Sequence, residues 1–236
     1  MPTQFSNLKK ESLFNQVAGS LPKTKEILEK LEQNLKIDTN DLPIFDLPEN
    51  FDTRGKWPYC GSMWELRDQS RCGSCWAVAA ASNMSDRVCI HSQGKDQRRV
   101  SFADVMECCS LGDSHGCEGG SEDAAFMFWV ERGYVTGDTY ENDPDWCKNY
   151  PFPPCAHHLG NPPYPDGLKL CNPPGYHFYP TPACNNKCDS DSDVNNYWKN
   201  IIKGKSYVLL KGEKMMMNEI YNNGPIVVAI DLWEDF

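Results

Sequence analysis

Gln69-Ser-Arg-Cys-Gly-Ser-Cys75-Trp76, followed at once by Ala77-Val-Ala-Ala-Ala81, sets a thiol at the opening of an alanine-rich run. Alanine has the highest helix propensity, and its small side chain lets such a helix be packed on every side. The pattern predicts a buried helix over residues 75–88. Unpaired N–H groups at a helix start, with the positive end of the dipole, are expected to lower the pKa of a cysteine placed there. Cys75 is therefore the candidate nucleophile. Cys72 and Cys75 as a bare Cys-x-x-Cys pair also suit a redox couple or half a zinc site. Zinc needs a second pair, and the only one of suitable spacing is Cys184-x-x-x-Cys188, more than 100 residues away in a proline-rich region. A thioredoxin-like couple needs a βαβ setting, which the Pro- and Trp-containing segment 55–64 does not supply. No metal and no cofactor are expected.

Further along, Ser101-Phe-Ala-Asp104 has the pattern of a capped helix running into Cys108 and Cys109. Ser121 with Glu122 and Asp123, an apolar body over 124–130 and Gly133 as a stop describe another helix. A third covers 213–222, closed by Gly224-Pro225, and Ile226-Val-Val-Ala-Ile230 reads as a buried strand. An apolar strand without neighbours favours aggregation, so the isolated chain is expected to be poorly soluble. Between Pro144 and Pro182 lie 11 of the 17 prolines, together with Cys147, Cys155 and Cys171. Regular structure cannot persist there, and a large stapled loop is expected. Residues 24–35 read as a short helix with Ile27, Leu28, Leu31 and Leu35 on one face. Residues 1–46 contain no cysteine, which places a boundary before Leu47.

The composition of the 236 residues, 40% hydrophobic and 24% charged, suits one or two globular domains. A net charge of −10, with no basic cluster beyond Arg98-Arg99 and nearby Lys95, argues against nucleic acid. Twelve cysteines point to an oxidising compartment and a disulfide framework. With Cys75 free, eleven remain, so at least one more is unpaired or pairs outside the chain. No apolar stretch approaches the roughly 18 residues of a membrane span. The N-terminal residues hold no apolar run of a secretory signal. Asn83-Met-Ser is a glycosylation sequon, but it falls on the buried helix and is expected to stay unmodified.

Gln69 stands six residues before the thiol, where its amide can donate to a tetrahedral oxyanion beside the backbone N–H of Cys75. In Cys117-Glu-Gly119-Gly120 the glycine pair lets a substrate backbone approach closely. Together with Cys-Gly-Ser-Cys-Trp, these residues resemble the papain family of cysteine peptidases, and specifically its cathepsin B-like branch. The resemblance covers residues 47–236. Leu47-Pro-Glu-Asn-Phe-Asp-Thr-Arg54 is similar to the family's mature start, and Arg67-Asp-Gln69 leads into the catalytic motif. Pro153-Pro-Cys155-Ala-His157-His158 resembles the occluding loop, whose adjacent histidines bind a substrate's C-terminal carboxylate.

The resemblance implies an α+β, papain-like two-domain fold, with the helical left domain largely present and the right β-barrel domain incomplete. It implies peptide-bond hydrolysis through a Cys75 thioester, with Gln69 in the oxyanion hole. Trp76, Gly119 and Gly120 would bind substrate, and His157 and His158 would confer dipeptidyl carboxypeptidase character. Implied partners are peptide or protein substrates and cystatin-type inhibitors, in a lysosomal or secreted setting. The implied disulfides are Cys60–Cys89, Cys72–Cys117, Cys108–Cys184, Cys147–Cys188 and Cys155–Cys171. Cys109 is left over, because the family's partner for it has no counterpart over 110–116, and a free buried thiol is expected. Residues 1–46 resemble a shortened propeptide, with the apolar Leu42-Pro-Ile-Phe45 before the mature start and without the family's tryptophan-containing portion. The occluding-loop insertion would occupy about 144–182.

Two departures bear on activity. No histidine follows His177, whereas the family's catalytic histidine and asparagine lie beyond a segment like Gly224-Pro-Ile-Val. His91 and His115 lack the setting of a base, and Asn218, Asn222 and Asn223 are poor stand-ins for the orienting residue, so little or no turnover is expected. Ser121 also replaces the bulky residue that often follows the glycine pair. The competing reading is a non-catalytic peptidase-like binding or decoy protein.

Overall fold

The computed structural model describes residues 25, 29, 47–112, 114–140, 145–156, 167–171, 178–189 and 196–230. From residue 47 onward the first regular element, α1 (Thr53–Lys56), is one turn capped by the Asp52 carboxylate, which accepts from the Arg54 N–H. The alanine-rich run forms α2 (Cys75–His91), three residues longer than predicted. The Ser92 N–H closes it on the Val88 carbonyl, and positive φ angles at Gln93 and Gly94 turn the chain away. Ser101 caps α3 (Phe102–Cys108) by accepting from the Asp104 N–H at 3.0 Å, and Ser121 caps α4 (Glu122–Glu131) through the Ala124 N–H. The last helix, α5 (Glu213–Asn223), ends at Gly224, whose φ of 111° favours glycine.

α2, α3 and α4 enclose the main core. Trp76, Met84, Phe102, Met106, Met127 and Tyr134 are at most 2% exposed. Burying side chains of this size stabilises by about 1.5–3 kcal/mol each. Beside this apolar cluster sits a buried ionic one. Asp104, on α3, accepts from the Lys148 ammonium and the Tyr197 hydroxyl at 3.1 Å each and from the Val135 N–H at 3.2 Å. Lys148 also donates to Glu107 and to the Asn185 carbonyl, both at 3.0 Å. Burial pulls the Lys148 ammonium down, but Asp104 and Glu107 outweigh it and leave its pKa raised. These bonds hold the irregular chain after α4 against the helical body.

Five disulfides complete the framework: Cys60–Cys89, Cys72–Cys117, Cys108–Cys184, Cys147–Cys188 and Cys155–Cys171. They coincide with the pairs that the resemblance implies, and Cys75 and Cys109 are the free thiols. The described parts of the proline-rich stretch are irregular, with Ala156 bridged to Leu170 next to the Cys155–Cys171 bond.

The strand expected over 226–230 does not form. Val228 is 57% and Ile230 61% exposed, and among the described residues the only β pairing is three isolated bridges. A strand is held by ladder partners and a face to pack on, and no described segment offers them here. The helical part of the expected α+β fold is thus present, while no sheet or barrel forms among the described residues. The expected helix over 24–35 lies outside them except for Lys25 and Glu29, which are helical and form an i,i+4 ion pair at 3.7 Å. No helix among the described residues is long and apolar enough to cross a membrane.

Candidate active site

Cys75 is the first residue of α2, with Ser74 at the cap position. The loop before it is fixed from several sides. Asp68 accepts from the Ser70 N–H at 2.6 Å, which holds Ser70 at a φ of 55°, an unusual value for a residue with a side chain. The Tyr150 hydroxyl donates to the Gln69 carbonyl at 2.7 Å and pairs with the Ser74 hydroxyl at 2.8 Å. Tyr150 itself stacks on Phe102, 4.4 Å between ring centroids. One buried tyrosine thereby ties the candidate oxyanion residue to the start of the thiol-bearing helix. Sequence reasoning missed it, because Tyr150 comes from the proline-rich stretch, and its closeness to the stapled Cys147 was the only hint.

The glycine wall is delivered by the Cys72–Cys117 disulfide and by the Gly73 N–H, which donates to the Cys117 carbonyl at 2.8 Å. Gly119 has a φ of 110°, and a Cβ on Gly120 would run into the Trp76 ring. Both positions therefore require glycine. Trp76, expected among the substrate-binding residues, is fully buried and donates its indole N–H to the Gly116 carbonyl at 3.1 Å. Its ring packs behind the glycine wall, against the space a Cβ on Gly120 would need.

A cleft of about 390 Å³ is lined by Arg67, Asp68, Gln69, Cys75, Val78 and Ala79. It brings Gln69 and Cys75 together. The Gln69 Oε1 is buried without a hydrogen-bond partner among the described residues. The Arg67 guanidinium, 2% exposed, also lacks hydrogen-bond partners there; Glu65 lies 3.6 Å away and the Phe102 ring 5.3 Å beneath. Burial lowers the Arg67 pKa, with Glu65 opposing.

The electrostatics of the thiol correct the sequence expectation. Burial pushes the Cys75 pKa up to about 11, and the Glu122 carboxylate adds to the rise. The N–H groups of Trp76 and Cys75 oppose it but do not prevail. A helix start alone leaves this thiol protonated at neutral pH. The remaining candidates are placed as follows. His157 and His158 lie outside the described residues. His91 is exposed in the last turn of α2, about 24 Å along the helix from Cys75 at 1.5 Å per residue. His115 precedes a short 3₁₀ turn, and its carbonyl accepts from the Thr181 hydroxyl. Cys109 is buried, with its pKa raised by burial, and Ser114 Oγ is 3.8 Å away. Asn83 is 8% exposed and donates its amide to the Pro225 carbonyl at 2.6 Å, so its sequon is occupied by an internal bond.

The family model for papain family cysteine proteases matches residues 47–236. The chain belongs to the papain family of cysteine proteases. It is 39% identical to cathepsin B-like cysteine proteinase 6 of Caenorhabditis elegans, a match spanning 97% of this chain and 60% of that protein. It is 40% identical to a cathepsin B-like cysteine proteinase of Schistosoma japonicum, over 85% of this chain and 55% of that one. A third relative, cathepsin B-like cysteine proteinase 1 of Ostertagia ostertagi, is 35% identical over 97% of this chain and 66% of its own length. The fold is similar to that of procathepsin B S9 from Trypanosoma congolense, with a TM-score of 0.54 and 29% identity, covering 92% of this chain and 56% of that one. The chain thus spans somewhat over half the length of the relatives it matches.

Proposed function

We propose that this chain carries the nucleophile-bearing part of a cathepsin B-like cysteine peptidase site. The observation that supports the reading best is the cleft in which Cys75, at a helix start, shares a wall with Gln69. In the reaction the Cys75 thiolate adds to a peptide carbonyl, and the Gln69 amide with the Cys75 N–H stabilises the oxyanion. The amine then leaves with a proton, and water hydrolyses the thioester. His157 and His158 would hold the substrate's C-terminal carboxylate and bias the enzyme toward releasing dipeptides. Residues 1–46 would act as a propeptide-like segment ahead of the peptidase portion at 47–236. Peptides or proteins are the substrates, cystatin-type proteins the inhibitors, and the setting is lysosomal or secreted, in keeping with the disulfides.

For residues 1–236 as a polypeptide, little or no turnover is proposed. A thiol with a pKa near 11 needs an imidazole to take its proton and to protonate the leaving amine. Neither described histidine has a hydrogen bond to Cys75. The alternative reading is a peptide-binding or decoy protein without catalysis.

The test compares a peptidyl epoxide with a non-peptidyl epoxide of the same warhead, read by mass mapping of Cys75. Faster labelling by the peptidyl probe, abolished in Cys75→Ser, is expected; equal rates would sink the peptidase-site reading. Hydrolysis of a fluorogenic dipeptide should not exceed that of Cys75→Ser, and Cys75-dependent hydrolysis would overturn the proposed inactivity. Peptide binding without labelling preference would support the binding protein.

A further inference from the structure

We propose that Thr181, near the end of the proline-rich stretch, is a positioning residue of the cleft. Its side chain clasps the turn that presents Gly119 and Gly120, and so sets how tightly a peptide backbone is held beside Cys75. This role rests on the peptidase-site reading above.

The glycine wall grows out of a turn that cannot hold itself. Gly116–Glu118 is a single 3₁₀ turn, closed by the Glu118 N–H to the His115 carbonyl at 3.1 Å and the His115 N–H to the Gly119 carbonyl at 2.8 Å. The first N–H groups of a helical turn have no partner within it, and a side chain at the cap position commonly accepts from one of them. His115 stands at that position and makes no such bond. Thr181, 64 residues further on, takes the part instead: its hydroxyl accepts from the Cys117 N–H at 2.8 Å and donates to the His115 carbonyl at 3.3 Å. One hydroxyl thus supplies the cap that the turn lacks. Packing agrees with the hydrogen bonds. A Cβ on Gly116, whose φ is 62°, would collide with the Thr181 side chain, so glycine there lets Thr181 lie directly against the turn.

Thr181 is itself delivered by a fixed segment. Two residues earlier, the Tyr179 N–H donates to the Arg71 carbonyl at 2.9 Å. The Tyr179 ring stacks on Phe152 at 4.4 Å, with the Arg71 guanidinium 4.3 Å from its centroid. Three residues later, Cys184 is bonded to Cys108 at the end of α3. The loop before Cys75 is joined to the turn by the Cys72–Cys117 disulfide and to segment 179–184 by Tyr179, and Thr181 joins the segment to the turn. A wall that recognises a peptide backbone has to hold its own groups in place, because misplacement by about 1 Å is enough to cost large factors. Thr181 does not line the cleft, so its effect falls on peptide affinity and leaves the intrinsic reactivity of Cys75 alone.

The test needs no turnover. Labelling of Cys75 by the peptidyl epoxide is followed against probe concentration, which separates the half-saturating concentration from the limiting rate. Thr181 is exposed apart from these contacts, so Thr181→Val and Thr181→Ala leave the core intact. Both are expected to raise the half-saturating concentration roughly 5-fold, the scale of one lost hydrogen bond. The limiting rate and the rate of the non-peptidyl epoxide should hold steady, and Thr181→Ser, which keeps the hydroxyl, should behave as wild type. Amide exchange at Cys117 should quicken in the valine and alanine variants and stay slow in Thr181→Ser. An unchanged half-saturating concentration, a parallel fall in the non-peptidyl rate, or a serine variant as weak as the valine one overturns the role. Unchanged exchange at Cys117 overturns the clasp. Equal rates for the two epoxides in wild type remove the peptidase-site reading, while the exchange at Cys117 still judges the clasp. A wild-type peptidyl preference that survives intact in Thr181→Val removes Thr181 alone.

Discussion

α2 buries ten of its 17 residues, whereas α5 buries only Met215 of its 11. α2 lies inside an apolar cluster bounded by disulfides. α5 is held at its rim by directional contacts: Arg87 donates to Glu219 at 2.7 Å and to the Gly224 and Pro225 carbonyls, and Lys56 donates to the Tyr221 carbonyl. Phe51 adds an edge-on contact to Tyr221 at 5.0 Å. The difference teaches that helix-forming signals of similar clarity lead to unequal stability. Non-directional burial stabilises the apolar side chains of α2, while α5 depends on a few side chains, the mark of a segment that opens at low free-energy cost.

The comparison breaks first at the ionic cluster beside α3. Lys148→Ala leaves Asp104 and Glu107 buried without their cation and should cost about 3–5 kcal/mol, seen as a lower urea midpoint. A loss below about 1 kcal/mol would mean that apolar burial alone holds the body.

The next effect is a pH dependence carried by α2. Burial pushes Asp86 up to about 6, with the Ser62 hydroxyl at 2.5 Å and Arg67 opposing. Its folded pKa exceeds the ordinary carboxylate value, so the folded state takes up a proton between about pH 6 and 4. The contribution of this group to stability therefore rises as pH falls through 6 and levels off near 4, by up to about 3 kcal/mol. Asp86→Asn should melt higher than wild type at pH 7.5 and close to it at pH 4; an equal difference at both would refute the linkage.

Arg87→Ala sharpens the contrast directly. Loss of its charged hydrogen bonds should cost about 2 kcal/mol, confined to α5. Amide exchange over 213–223 should quicken while α2 keeps its protection, and equal loss in both helices would show that they open together.

The smallest effect lies at the loop before the thiol. Ser70→Gly relieves a positive φ and should raise stability by about 0.5–1 kcal/mol, a few degrees in melting temperature. A lower melting temperature would show that the Ser70 contact with Cys155, at 3.5 Å, outweighs the backbone.

Much of the helical body was legible because its signals are local. Ser101, Ser121 and Gly224 mark helix ends through bonds to residues within one turn, and the alanine run needs only its own propensity. The bridges were legible through family resemblance, since spacing by itself leaves many connectivities open. The strand at 226–230 was misread because β structure requires partners elsewhere in the protein. Tyr150 and Lys148 were missed as site and core residues because their importance comes from residues 30 or more positions away in sequence.

By itself the sequence determined where helices start and stop, which thiol opens α2 and which glycines flank it, because caps, periodicity and motif spacing act over a few residues. Only the tertiary structure decided the charge state of that thiol, the burial of Trp76 and the weak hold on α5. Desolvation, through-space charge and packing depend on what the fold brings close, and no local pattern encodes them.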